Sequence, residues 1–313
     1  MADRDRPGAD TGADTGADTG TDGPGCGCGP SEQGRTALVL GGGGLAGIGW
    51  EVGILHGLAE AGADVSGADL IVGTSAGSVV GAQLSSGLLT LPELYERQLA
   101  DPEGEVPAGM GPTVLARYVW GVLRSRDAEA YGARMGRLAL SARTEPEEAR
   151  RAVFAARLLT HEWPQARRLV VTAVDALTGR FHAFDRSSGV ELLDAVGASC
   201  AVPGVWPPVT IGGRRFIDGG VRSSTNADLA TGHGTVVIVA PLSVGGGPVP
   251  SARAQASRLA ATGTRVVLIT PDRAARRAFG RNVLDPARRA PSARAGRAQA
   301  VAHADAVRAA LPV

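Results

Sequence analysis

The chain has 313 residues, 44% of them apolar, which suits one large domain with a substantial core. A formal net charge of +1 and 4% aromatic content argue against a nucleic-acid partner and give no basic patch for docking on a membrane. The odd cysteine set, Cys26, Cys28 and Cys200, offers neither a disulfide framework nor a metal site.

The first 34 residues carry the repeat Gly-Ala-Asp-Thr from Gly8 to Thr19. Small and acidic residues cannot bury a core, so a disordered low-complexity arm is expected over 1–34. No apolar stretch resembles a secretory signal, and no run reaches membrane-spanning length, so a cytoplasmic location is the default expectation.

Thr36 to Leu40 predicts a buried strand. The glycine-rich stretch Gly41-Gly42-Gly43-Gly44-Leu45-Ala46-Gly47 follows, and then Ile48, Val52, Leu55 and Leu58 mark one face of a helix ending near Gly62. A glycine-rich loop between strand and helix is an anion site built from backbone N–H groups. Two uses compete. Gly42-x-Gly44-x-x-Gly47 fits a dinucleotide fingerprint, which would make the chain an oxidoreductase. That reading needs an acid ending the next strand, and Leu70 to Val72 ends in Gly73-Thr74-Ser75 instead. The better reading is an oxyanion hole from the N–H groups of Gly42, Gly43 and Gly44.

Gly73-Thr74-Ser75-Ala76-Gly77 has the form G-x-S-x-G, with a strand before it and helical spacing at Val79, Val80 and Leu84 after it. In a glycine-rich chain the bare pattern is close to chance; the strand–turn–helix context gives it meaning. Gly73 and Gly77 are expected where a Cβ would clash, with Ser75 exposed at the apex of the turn and at a helix N-terminus.

Residues 88–165 predict a helical insertion, with helices over Thr90–Leu99, Tyr118–Leu123 and Arg134–Leu140, and another capped by Thr144 ahead of Pro146. The insertion covers the site, lines an acyl groove, or is ordinary packing. Arg168 to Asp175 and Arg180 to Phe184 predict a hairpin, followed by a helix over Val190–Cys200 and a strand ending at Ile217 before Asp218-Gly219-Gly220. Val236–Ala240 and Arg265–Ile269 are further strands, and Asp285–Ala310 is helical. This alternation predicts an α/β fold with a mostly parallel sheet.

A serine nucleophile needs a base. Of the histidines His56, His161, His182, His233 and His303, only His233 lies in a loop after a candidate acid, as the order of a Ser–Asp–His triad requires. The alternative is a dyad with Asp218, a desolvated carboxylate at a strand end. Taken alone, Asp218-Gly219-Gly220 reads as a plain turn.

The order Gly42 to Gly47, then Gly73 to Gly77, then Asp218 to Gly220 resembles the patatin-like phospholipases. The stretch containing Ala198-Ser199, Val202-Pro203 and Trp206-Pro207-Pro208 is similar to the segment before that family's aspartate. The resemblance covers roughly 35 to 240, leaving 241–313 to complete a three-layer α/β/α fold. It implies a Ser75–Asp218 dyad, an acyl-enzyme, an oxyanion hole from Gly42, Gly43 and Gly44, and support from Gly47, Gly73, Gly77, Gly219 and Gly220. It also implies a lipid or acyl-ester substrate, no metal and no cofactor. The family usually carries Arg or Lys where this chain has Ala46. Arg222 is a candidate replacement, and a lipid-binding protein with weak or no turnover is the alternative function.

Overall fold

The structure, a computed structural model, describes residues 34–100 and 108–312. The expected disordered arm, apart from Gly34, lies outside the described residues, as do Cys26 and Cys28.

In chain order the elements are β1 (Thr36–Leu40), α1 (Gly44–Glu60), β2 (Leu70–Gly73), α2 (Ala76–Ser86), α3 (Leu91–Leu99), α4 (Pro112–Arg124), α5 (Ala128–Ser141) and α6 (Glu147–Arg157). Then come β3 (Arg168–Asp175), β4 (Phe181–Phe184), α7 (Leu192–Ser199), β5 (Val209–Ile211), β6 (Arg214–Asp218), β7 (Thr235–Val239), α8 (Ala252–Ala260), β8 (Arg265–Ile269), α9 (Arg273–Phe279), α10 (Arg289–Ala300) and α11 (Ala304–Ala310). Single 3₁₀ turns join several of them.

Strands β3, β2, β1, β7 and β8 run parallel to one another in that spatial order. Their side chains are apolar on both faces, as a sheet covered on both sides demands. Leu38 and Leu40 pack into the core beneath α1, α2 and α10, whereas Ala37 and Val39 pack beneath α8. The result is three layers, mixed α/β, with helices on either side of a mostly parallel sheet.

Helix α1 is buried almost all round. Gly49, Gly53 and Gly57 lie one turn apart and face the backbone of α10 at Arg289, Ala293 and Arg297, so a Cβ at any of them would collide with it. That close crossing seats the carboxy-terminal helices against the helix that follows the glycine loop.

The antiparallel strands decide how the site is assembled. β4 pairs with Val171–Val174 of β3, completing the expected hairpin. β2 pairs with Arg168–Val171 of β3, and β6 pairs with Ala173–Asp175. A strand has two edges, and β4 occupies one of them across both stretches. β2 and β6 therefore share the other edge, with β6 taking over where β2 stops. β6 runs antiparallel, so its last residue, Asp218, arrives at the carboxyl end of β2.

One helix start differs from expectation. α6 begins at Glu147 with Pro146 in the cap position and no side-chain cap from Thr144. A proline disfavours helical geometry at the residue before it, so Glu145 stays outside the helix and Thr144 is too far upstream to cap.

Candidate active site

Ser75 stands between β2 and α2 with φ +52° and ψ −116°. That conformation is rare and costly for a residue with a Cβ, and it persists only where neighbours enforce it. The enforcement is visible. The Ser75 N–H donates to Ser199 Oγ at 2.9 Å. Its carbonyl accepts from Ser78 Oγ at 2.7 Å and from Cys200 Sγ at 3.2 Å. The Gly77 N–H donates to the Gly41 carbonyl at 3.0 Å, tying the turn to the glycine loop.

The flanking glycines serve close approach rather than turning. The positive φ falls on Ser75 itself and on neither Gly73 nor Gly77. A Cβ on Gly73 would strike the backbone of Ser78, and one on Gly77 would strike the Leu40 carbonyl. Gly219 is similarly pressed against Thr172, whereas Gly47 meets its neighbours only at ordinary contact distance, 3.4 Å.

Asp218 is buried, and the Ser75 side chain lies close enough to lower its pKa. Its Oδ1 accepts the Gly220 N–H at 2.7 Å, which orients the carboxylate. Burial pushes its pKa up to about 6, and Ser75 and the Gly220 N–H restrain the shift. A desolvated carboxylate with a pKa near neutrality, beside a hydroxyl, can accept that hydroxyl's proton.

Behind the pair lies a buried polar cluster that sequence reading missed. Asn226, in the left-handed region at φ +48°, donates through Nδ2 to Thr74 Oγ1 at 3.0 Å, Thr172 Oγ1 at 3.3 Å, and the carbonyls of Gly219 and Ser223 at 3.3 and 2.9 Å. Thr74 and Thr172 are themselves 2.9 Å apart. One amide thus links the Ser75 turn, strand β3 and the Asp218 turn. The only sequence signal for it was an asparagine, a residue tolerant of positive φ, shortly after a glycine pair.

The glycine loop needs a correction. Gly42 is expected among the oxyanion donors, but its N–H donates to the Ser224 carbonyl at 2.8 Å. An amide already spent on a carbonyl has no second proton to offer. Among the described residues, the N–H groups of Gly43 and Gly44 donate to no protein acceptor. They are the cap and the first residue of α1, where helix N–H groups are left over. Ala46 is fully buried and its N–H donates to the Val283 carbonyl at 3.0 Å, so the carboxy-terminal segment fastens the loop.

Arg222 does not replace the missing charge. Its guanidinium is held by Asp228 at 2.7 Å and by Asn226 Oδ1 at 2.9 Å, and it stacks on Phe181. His233 sits just before β7, at the edge of the sheet opposite the ends of β1 and β2, with its ring against the Ala230 carbonyl.

Ser75 opens into a cavity of about 620 Å³. Its apolar lining includes Leu45, Ile48, Val153, Val202, Trp206 and Leu284. Its charged lining is Arg143, Glu145, Arg150 and Arg157, three cations against one acid. The Arg150 guanidinium lies 3.7 Å from the centre of the Trp206 ring. So the insertion, through α6 and the loop before it, does line the pocket. The arrangement is a largely apolar cavity with the Ser75 hydroxyl and three arginines in its lining.

The family model described as patatin-like phospholipase matches residues 38–231. Among solved structures the chain is similar to VipD from Legionella pneumophila, with 13% identity over 88% of this chain and 67% of that one, and a TM-score of 0.45. It is also similar to the type III effector protein ExoU, with 18% identity, 87% and 53% coverage, and a TM-score of 0.39. The chain therefore spans little more than half of the ExoU chain. No curated protein matches it.

Proposed function

The chain belongs to the patatin-like phospholipase family, and from that premise we propose that it is a lipid acyl hydrolase whose nucleophile is Ser75 and whose base is Asp218. What supports the reading is the buried Asp218 carboxylate, its pKa raised to about 6, which β6 brings to the carboxyl end of β2 beside the Ser75 turn.

In the proposed reaction Asp218 takes the hydroxyl proton as Ser75 Oγ bonds to the ester carbonyl carbon. The carbonyl oxygen becomes negative and is met by the N–H groups of Gly43 and Gly44. The ester C–O bond then breaks, and the proton held by Asp218 passes to the leaving oxygen. A water molecule repeats the sequence on the acyl-enzyme, giving up its proton to Asp218 and releasing the acid. The acyl chain occupies the apolar part of the cavity. No histidine enters the cycle.

A fluorophosphonate probe tests the nucleophile. Wild type should be labelled and Ser75→Ala should not; equal labelling of the two proteins would remove Ser75 from the mechanism. A second reading, lipid binding without turnover, is favoured by Ala46, which leaves the loop with backbone donors alone. Tight fatty-acid binding with no hydrolysis of p-nitrophenyl esters across chain lengths would select it.

A further inference from the structure

Helix α4 carries an apolar face turned to solvent. Leu115, Val119, Trp120 and Leu123 are each more than half exposed, Leu123 at 77%. At 100° per residue they fall within an arc of about 140°. The opposite face is used for packing: Val114, Tyr118 and Val122 join the cluster with Tyr131, Met135 and Leu138 of α5. Tyr118 also donates to the Pro203 carbonyl at 3.2 Å, beside the cavity wall. The loop packed against Val122 at Gly246 and Gly247 exposes two more apolar side chains, Leu242 and Val244. The Leu242 N–H is bonded to the Gly42 carbonyl of the glycine loop, so this apolar rim reaches the mouth of the site.

Charge accompanies the apolar face. α4, α5 and the turn between them hold Arg117, Arg124, Arg126, Arg134 and Arg137 against Asp127 and Glu129. Arg117 and Arg124 flank the apolar arc on one side. The guanidiniums of Arg124 and Arg134 lie 5.8 and 5.0 Å from the centre of the Trp120 ring. The near-zero total charge therefore hides a local basic patch, contrary to the expectation drawn from the sum.

We propose that this face is a docking surface for an anionic lipid bilayer. Exposed Trp and Leu on one arc of a helix, with arginines along its flank, match a helix lying in the membrane interface, where the rings sit at headgroup level and the guanidiniums meet lipid phosphates. Docked this way, the rim would set the cavity against the surface from which acyl chains enter. Binding itself requires no turnover, so it stands or falls independently of the Ser75 chemistry.

The test is flotation of the full chain with vesicles of phosphatidylcholine and of equimolar phosphatidylcholine and phosphatidylglycerol. Binding is expected to the second and far less to the first. Leu123→Ser and the double change Arg117→Gln/Arg124→Gln should each weaken it by roughly tenfold, while turnover of monomeric p-nitrophenyl butyrate stays at the wild-type rate. Brominated lipid should quench tryptophan fluorescence in wild type and do so much less in Trp120→Phe. Absent binding to anionic vesicles, or binding unchanged in both variants, overturns the proposal. A solution dimer that Leu123→Ser dissolves also overturns it, by making a second copy the occupant of this face.

Discussion

The floor beneath Ser75 and the rim along α4 are built on opposite terms. At the floor, polar side chains are buried and mutually bonded: Thr74, Thr172 and Asn226 have no exposure, and each holds the others. At the rim, large apolar side chains are bare. Burying a polar group is costly without partners, and a cluster of exposed large apolar side chains marks a surface that something covers in use. The floor fixes geometry; the rim offers a surface. Substitutions in the two regions should therefore separate cleanly.

The largest effect is expected from Asp218→Asn. It keeps the shape but removes the proposed proton acceptor, and kcat/KM for a soluble ester should fall by about 10²–10⁴. Wild-type turnover in that variant would detach the carboxylate from the chemistry. Asn226→Ala comes next. It removes the donor from the Gly219 and Ser223 carbonyls and from the threonine pair and leaves alanine at positive φ, so stability should fall by roughly 2–4 kcal/mol in denaturant titrations. A loss below about 0.5 kcal/mol would show that surface-like tolerance extends into the floor.

The pH profile gives a smaller, graded signal. As the proposed base, Asp218 would work only when ionised, so kcat/KM should rise with pH and level off above an apparent pKa of about 6. At pH 5 the rate should be roughly a tenth of the plateau. A flat profile from pH 5 to 8 would require another base.

Glu51 offers a test of burial apart from catalysis. It is fully buried on α1, and desolvation holds its pKa well above the usual carboxylate range, with the Gly41 backbone N–H pulling the other way. The unfolded chain ionises it near pH 4 while the fold keeps it neutral, so stability is lost as pH rises from there toward the raised pKa. Glu51→Gln should remove that loss and raise the unfolding midpoint at pH 7 but not at pH 4. The smallest effect belongs to the rim: Trp120→Ala should leave soluble-ester turnover unchanged.

Most elements were legible in the chain because their signals are local. The strand over Thr36–Leu40, the loop of glycines after it and the helical spacing beyond all lie within a few residues of one another. The strand from Arg265 to Ile269 was readable to the residue. Helix α9 and the short strand β5 escaped notice, the first for want of apolar periodicity and the second because it has only three residues.

The partners within the site were not legible in the same way. Composition and periodicity say nothing of which edge of β3 is vacant past Val171, and that vacancy is what lets β6 deliver Asp218 to the end of β2. The Ser224 carbonyl takes the Gly42 N–H from across the chain, a competition no motif encodes. The same limit applies to α4: spacing announces an amphipathic helix, but only packing decides which face is left to solvent. Sequence settles what each short stretch prefers, because propensity and capping act over a turn or two. Tertiary structure settles which hydrogen bonds are already spent and which surfaces are covered, because those depend on residues far apart in the chain.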